Sequence, residues 1–522
     1  MPFSSTTVQH NRTGNNDKMF RARHGSRELL QMVAWSIVLV PLLLLFFSVD
    51  SPFYEIWGRI DPSWYFTAGK AWMHGMIPYV DFSDSKGPLL WLIYGIGYLI
   101  SNFDYVGVWL LTCVNYLVTT WFIYGIARIF VDSKCLSFLV AVVMLAVYFN
   151  PVIHHFTKSE DFCQPYIALG LWSICRVLYD KLRDNSLLRN RICQGAWFIG
   201  ISMGATLMIK FTIALMISFF AIVLCIAARK SGVVRVKDVV WRVLAGCAVV
   251  CLPFVVYFAI LGNLDDFIRE YFVLTSKISS HSPRLNVIKW TIGGGFLSWL
   301  IITMSISTST FFFITKQYSW VPIAGFFCFL LITVQNAEWT YYYYSCMIFA
   351  VFGLIALVKW GSKFIKSMWT KAIAVALCLL ITGVMSFSHA SHIATFKLVD
   401  HSDDPLMAKG AEFYHQVDLV KRVEKPRVVF LNYNNVINVA DAVDGLPGCK
   451  YWAKQYGANF MQEEQYKQIK TNRPHFVYIK QDDPYNKDRI ERLGYFCINQ
   501  PSPFYKVYLY ANPKLRKIYL DR

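Results

Sequence analysis

The sequence predicts a polytopic α-helical membrane protein carrying a small α/β domain at its C-terminal end. Of 522 residues, 55% are hydrophobic and only 16% charged, and the apolar residues gather in long uncharged runs such as 29–49 and 239–262. A helix needs roughly 20 apolar residues to cross about 30 Å of hydrocarbon, and the chain has about ten such runs. After residue 389 the pattern changes to short strand-like runs alternating with polar helical segments. This composition excludes a disordered chain, a disulfide scaffold and an ordinary soluble domain.

The apolar runs place eleven spans at 29–49, 106–130, 135–153, 162–180, 193–208, 211–228, 239–262, 287–314, 318–336, 341–358 and 372–389. The first follows a polar 28-residue tail and is not followed by a small-residue cleavage site, so it reads as a span rather than a cleavable signal. The run Pro88–Ser101 is short for a crossing, and loop charge decides its role. If it does not span and the N-terminus is cytoplasmic, inner segments hold 19 Lys/Arg and outer loops eight. If it spans, the balance becomes 10 inside against 17 outside. Only the first arrangement obeys the positive-inside rule. Pro88–Ser101 is therefore read as a helix at the outer surface. The tail 1–28 is placed in the cytoplasm, 29–389 in the membrane with 51–105 as the first outer loop, and 390–522 outside. The least defined boundary is the meeting of two short spans at Ile209–Lys210.

The net charge of +18 would suggest nucleic acid in a soluble protein, but cytoplasmic loops of membrane proteins collect Lys and Arg, so no nucleic-acid partner is expected. Eleven of the 13 cysteines lie in or beside apolar spans, with no CxxC or His-spaced pattern. They read as small packing residues, and no metal is assigned. Cys449 and Cys497 fall in the outer tail, where an oxidising compartment would let them pair. In that tail Val428–Tyr433, His475–Lys480 and Tyr505–Tyr510 read as strands, Leu406–Val423 as a helix, and Gly445–Gly448 as a turn.

Span centres are nearly free of charge, which weighs against a coupled transporter. Polar groups gather in the outer loops instead. The first carries Asp61, Asp81, Asp84 and Lys86 among aromatic residues. A partly desolvated carboxylate can take the proton of an attacking hydroxyl, and a lysine suits a phosphate. The competing reading is a solvated loop with Trp64, Tyr65 and Trp72 as an interfacial belt. The second loop packs His154, His155, Lys158, Glu160 and Asp161 into eight residues. They suit a pyrophosphate or metal contact, or simply the polar cap of a helix starting near Phe162. Lys210, between two apolar stretches, either snorkels or meets a lipid phosphate. The run Gln335–Tyr344 is an aromatic belt or a glycan-stacking surface. Arg269, Lys277 and Arg284 mark a loop that is solvated or lies along an anionic surface.

Taken together these motifs resemble the GT-C membrane glycosyltransferases, in the bacterial branch related to protein O-mannosyltransferases and lipid A aminoarabinose transferase. The resemblance rests on Asp61-Pro-Ser-Trp-Tyr, then His74-Gly-Met-Ile-Pro-Tyr-Val-Asp-Phe, then Lys86-Gly-Pro-Leu-Leu. Ser159-Glu-Asp-Phe-Cys-Gln-Pro-Tyr is similar to the family's second acidic element, and Gly204–Lys210 to a later element ending in lysine. Trp339–Tyr344 resembles an aromatic stretch that often holds a histidine, which this chain lacks.

The resemblance implies a GT-C fold with outer juxtamembrane helices, and an inverting transferase. Such an enzyme moves a sugar from a polyprenyl-phosphate or diphosphate donor to a hydroxyl on an envelope lipid, glycan or protein. It makes Asp61 the general base, Lys86 and Lys210 the holders of the donor phosphate, and Glu160 a catalytic group that orients the acceptor or shares the base role, with Asp161 as its alternative. Tyr79 and Tyr342 become sugar contacts. Asp81, Asp84, Lys158 and His155 remain secondary candidates. No cofactor is assigned, and the resemblance leaves room for a divalent cation. The alternatives are a lipid-linked sugar flippase and an inactive structural subunit.

Overall fold

The computed structural model describes residues 34–46, 48, 50–55, 61–102, 105–148, 157–179, 185–276, 340–361, 405–433, 437–454, 460–501 and 504–520. The expected spans 287–314, 318–336 and 372–389, the tail 1–28, and Lys277 and Arg284 lie outside them.

The chain enters through a short apolar helix, α1 (Ala34–Phe46). Two 13-residue helices follow, α2 (Asp61–Met73) and α3 (Pro88–Ile100), packed on each other. Proline at the first position starts α3 because its missing N–H is one that no helix satisfies. At 1.5 Å per residue α3 is about 20 Å long, short of the hydrocarbon thickness.

The helical body continues with α4 (Val106–Phe130), α5 (Lys134–Tyr148), α6 (Ser159–Leu178), α7 (Asn185–Ile209), α8 (Phe211–Ser231) and α9 (Val236–Ile260). Among the described residues, α4, α7, α8 and α9 are long and apolar enough to cross a membrane. α6 packs between α4 and α7, and α7 against α8 and α9. Small residues let α7 and α9 approach closely, since a Cβ on Gly246 would sit 2.6 Å from the Trp197 carbonyl oxygen. The two spans expected to meet at Ile209–Lys210 are longer than their apolar runs. α7 begins in the polar stretch Asn185–Arg191, which apolar patterning does not register.

After α9 a single turn, α10 (Leu264–Phe267), runs into a π-helical segment, Ile268–Leu274. There Arg269 pairs with Asp266 and sits 3.5 Å from Glu270. A 3-10 segment, Thr340–Phe349, leads into α11 (Ala350–Gly361) and packs on α6.

The C-terminal unit starts with α12 (Pro405–Val420) and builds a five-stranded mixed sheet. Its strands are β1 (Arg427–Leu431), β2 (Leu446–Pro447), β3 (Phe476–Lys480), β4 (Phe496–Cys497) and β5 (Val507–Ala511), in the order β2-β1-β3-β5-β4. β1 is parallel to both β2 and β3, in the register Val428↔Phe476, and β5 runs antiparallel to β3 and β4. The helices α13 (Val439–Ala442), α14 (Met461–Asn472), α15 (Pro484–Arg492) and α16 (Arg516–Tyr519) complete it. The continuous apolar runs of β1 and β3 follow from burial on both faces.

Two expectations are corrected here. Leu446–Pro447, read as part of a turn, is an edge strand beside β1. Cys449 and Cys497 do not pair, because one follows β2 and the other lies in β4, at opposite edges of the sheet. Four strand spacings of about 4.8 Å separate those edges, far beyond the reach of a disulfide.

Candidate active site

Three places in the chain bring polar side chains together: the segment 74–87 with the start of α2, the N-terminus of α6, and the break between α7 and α8. Each forms for a local reason. Asp61 stands in the first turn of α2, where a negative charge suits the exposed N–H groups. α6 opens with one half of a capping box, its Asp161 carboxylate accepting from the Lys158 N–H at 3.0 Å. At the α7–α8 junction Lys210 adopts extended backbone, and the Tyr271 hydroxyl ties the ends together. That hydroxyl donates to the Leu207 carbonyl at 2.8 Å and accepts from the Phe211 N–H at 2.9 Å.

Glycine fixes the distance between the first and third places. The Gly87 N–H donates to the Ile209 carbonyl at 3.0 Å, so the backbone of Lys86–Gly87 lies against that of Ile209–Lys210. A Cβ on Gly87 would overlap the Met208 carbonyl, so only glycine permits this approach. The backbone segments that carry the two lysines predicted to hold a phosphate are thereby held against each other. Tyr79 reinforces the arrangement from below, with its hydroxyl donating to the Lys86 carbonyl at 2.9 Å.

Charge then organises the cluster. Lys158 Nζ lies 3.0 Å from Asp61 Oδ2. Lys210 pairs with Glu160, whose side chain is almost wholly buried. Lys86 forms no ion pair among the described residues. Its ammonium takes the Ser85 hydroxyl at 3.0 Å and lies 5.5 Å from the Tyr65 ring centre. Burial pushes the Asp61 carboxyl up, but Lys158, Lys86 and Lys210 together outweigh it and hold the group below the ordinary carboxylate range. Asp61 is therefore ionised at neutral pH, with a third of its side chain still open. Burial wins at Asp84 and raises its carboxyl. Asp84 Oδ1 accepts from Ser85, while its buried Oδ2 has no hydrogen-bond partner.

The remaining predicted residues are placed differently. Asp161 is occupied on both oxygens, by the Lys158 N–H and by the Tyr116 hydroxyl, which also meets Tyr344. Asp81 accepts from the Ile77 N–H at 2.7 Å and locks a turn. Tyr79 is enclosed by Trp91, Phe258, Phe267 and Tyr271, so the sugar contact expected of it does not fit this placement. Tyr342 lies in the 3-10 segment, and its side chain, like His154 and His155, falls outside the described residues. No group of three or more His, Cys, Asp or Glu is placed to hold a metal ion among the described residues.

Sequence reasoning gave no role to Lys70, Glu270 or Asp441. Glu270 is buried against Lys450 at 2.9 Å, both Tyr451 and Ser83 hydroxyls reaching it, and so links the π-helical segment to the loop before Asp84. Glu270, the one acid in the otherwise largely apolar and aromatic segment Ile268–Leu274, was the signal available in the sequence.

No family model matches the chain, and no curated relative does. Solved structures do. ArnT from Cupriavidus metallidurans bound to undecaprenyl phosphate aligns with a TM-score of 0.60 at 13% identity, over 91% of this chain and 97% of that one. Its apo state gives 0.59 at 13% identity, over 92% and 98%. ArnT is a lipid A aminoarabinose transferase of the GT-C superfamily. The chain has a GT-C fold. An oligosaccharyltransferase from Archaeoglobus fulgidus, in complex with Zn and sulfate, aligns more loosely, with a TM-score of 0.47 at 11% identity over 91% of this chain and 73% of that one. With four membrane-length apolar helices, a chain of this GT-C fold is an integral membrane protein.

Proposed function

We propose that the chain is an inverting glycosyltransferase that moves a sugar from a polyprenyl-phosphate-linked donor to a hydroxyl on an envelope lipid, glycan or protein. The observation that carries this reading is the convergence of Asp61, Lys86, Lys158, Glu160 and Lys210 from three separate elements, with the backbone segments of Lys86 and Lys210 locked together through Gly87. The ArnT neighbour bound to undecaprenyl phosphate supports the donor class. The charge balance of the loops supports an extracytoplasmic site in the plasma membrane, with the N-terminus cytoplasmic and 390–522 outside.

In this reading the acceptor hydroxyl hydrogen-bonds to the ionised Asp61. Its oxygen attacks the anomeric carbon as the bond from that carbon to the phosphate oxygen breaks, inverting the configuration. The proton passes to Asp61, and the electron pair leaves with the polyprenyl phosphate. The leaving phosphate gains one negative charge in this step, so lysines beside it stabilise the transition state more than the bound donor. Lys86, without an ion pair among the described residues, receives the phosphate first. Lys210 joins it while Glu160 keeps the second ammonium in place. Asp161 serves as the structural cap, which leaves Glu160 as the acidic partner of the site. Asp84, buried with one oxygen lacking a hydrogen-bond partner, remains a secondary candidate two residues before Lys86.

Native mass spectrometry of the detergent-purified protein tests the donor class without knowledge of the sugar. Undecaprenyl phosphate should be retained by the wild type and lost from Lys86→Ala and Lys210→Ala. Retention of bulk phospholipid alone, unchanged by either substitution, would remove the basis of the proposal and favour a transporter.

A further inference from the structure

α2, which begins at Asp61, is docked to the C-terminal unit through a buried polar stripe on the face turned away from Asp61. Ser63, Thr67 and Lys70, with His74 just past the helix end, recur at i, i+4, i+7 and i+11, one face of a 3.6-residue helix. Three hydroxyls, from Ser63, Thr67 and Tyr105, converge on the Asp441 carboxylate. Thr67 donates to Oδ1 at 2.7 Å and Tyr105 to Oδ2 at 2.6 Å. Lys70, wholly buried, donates to the Ala440 carbonyl at 2.8 Å and lies 3.8 Å from Asp444. Beyond the stripe, Trp64 meets Trp452 edge-to-face at 5.7 Å.

We infer that Asp441 and Lys70 are positioning residues that set the rotation and height of α2, and through it the place of Asp61 against Lys158 and Lys86. The inference rests on the transferase reading given above. A buried ion pair is weak evidence of stability and is best attested as a device that fixes register. Here every hydroxyl on the stripe is committed to one carboxylate from 374 residues away in the chain. A slip of α2 by one residue would turn the helix by about 100° and leave Asp441 and Lys70 buried without their partners. Ser63 is two residues from Asp61, so the register set at Ser63 is the register of the base. Burial pushes Asp441 up to about 6 and Lys70 down to about 8, as expected of charges that are kept inside for geometry.

The phosphate-holding lysines sit on other elements, at the start of α3 and at the α7–α8 break, so carrier binding and transfer can be separated. Asp441→Asn and Lys70→Met should bind undecaprenyl phosphate within about twofold of wild type while donor consumption in cells falls at least about tenfold, since misplacement of a reacting group by about 1 Å costs that much or more. Tyr105→Phe removes one hydroxyl at constant shape and decides the matter by the same split if Asp441→Asn does not fold. Consumption at the wild-type level, or equal loss of binding and consumption in Tyr105→Phe, would overturn the inference. A wild-type protein that binds no undecaprenyl phosphate would instead refute the transferase reading itself.

Discussion

Replacing Lys158 by Gln removes the ammonium 3.0 Å from Asp61 and keeps the N–H that caps α6. Two unit charges at that distance attract by about 1.4 kcal/mol at the dielectric of water and about 5.5 kcal/mol at an effective dielectric of 20. A third of the Asp61 side chain is exposed, so screening places the loss in the lower part of that range, at about 1.4–3 kcal/mol. That corresponds to about one to two pK units. In the wild type Asp61 is held below the ordinary carboxylate value despite its burial, and without Lys158 burial gains ground. A base works when ionised, so activity is present above its pKa and lost as pH falls through it. The wild type should therefore keep its transfer rate through the ordinary carboxylate range, and Lys158→Gln should lose it at a pH about one to two units higher than the wild type does. Donor consumption by protein in liposomes, followed under single-turnover conditions from about pH 3 to pH 8, reads the limb of the variant against that of the wild type. An unmoved acid limb, or a loss equal at every pH, would refute the assignment of Asp61 as the ionised base.

Other substitutions test the frame around it. Gly87→Ala forces a methyl group into the Met208 carbonyl, and overpacking of about 1–3 kcal/mol should weaken undecaprenyl phosphate binding about tenfold or more in a titration by native mass spectrometry. Asp161→Asn should lower thermal stability by about 1 kcal/mol, the worth of a helix cap, and leave carrier binding intact. Glu160→Gln should lower transfer and, because Lys210 loses a buried counter-charge at a cost of about 3 kcal/mol, the melting temperature as well. Glu270→Gln strips Lys450 of its buried counter-charge at a cost of about 3 kcal/mol, which should appear as a lower melting temperature in detergent.

The helical body was legible in the sequence because hydrocarbon imposes a length on apolar runs. The span read at 106–130 coincides with α4. That signal stops where a helix leaves the apolar layer, which is why the start of α7 at Asn185, rich in Arg and Asn, went unread. Continuous apolar or aromatic runs revealed β1, β3 and β5 to within two residues, but the two-residue β2 is too short to carry a pattern. The site was legible as residue types near one surface, not as pairings. Nothing local says that Lys158 reaches Asp61 across 97 positions, or that Asp441, inside a segment rich in turn residues, receives hydroxyls from α2. One signal was present and unused: Ser63, Thr67 and Lys70 form a polar stripe on a helix otherwise lined by aromatic residues, and such a stripe needs a polar partner.

The central claim is that Asp61 carries out transfer from a polyprenyl-phosphate donor, and lipid analysis of cells whose only copy is Asp61→Asn tests it most directly. Blocked transfer leaves its donor unspent, so polyprenyl-phosphate-linked sugar should accumulate against wild-type cells, while the purified variant still retains undecaprenyl phosphate. The mass of that lipid would also name the sugar. An unchanged lipid profile, with the variant protein present in the membrane at wild-type level, would contradict the account.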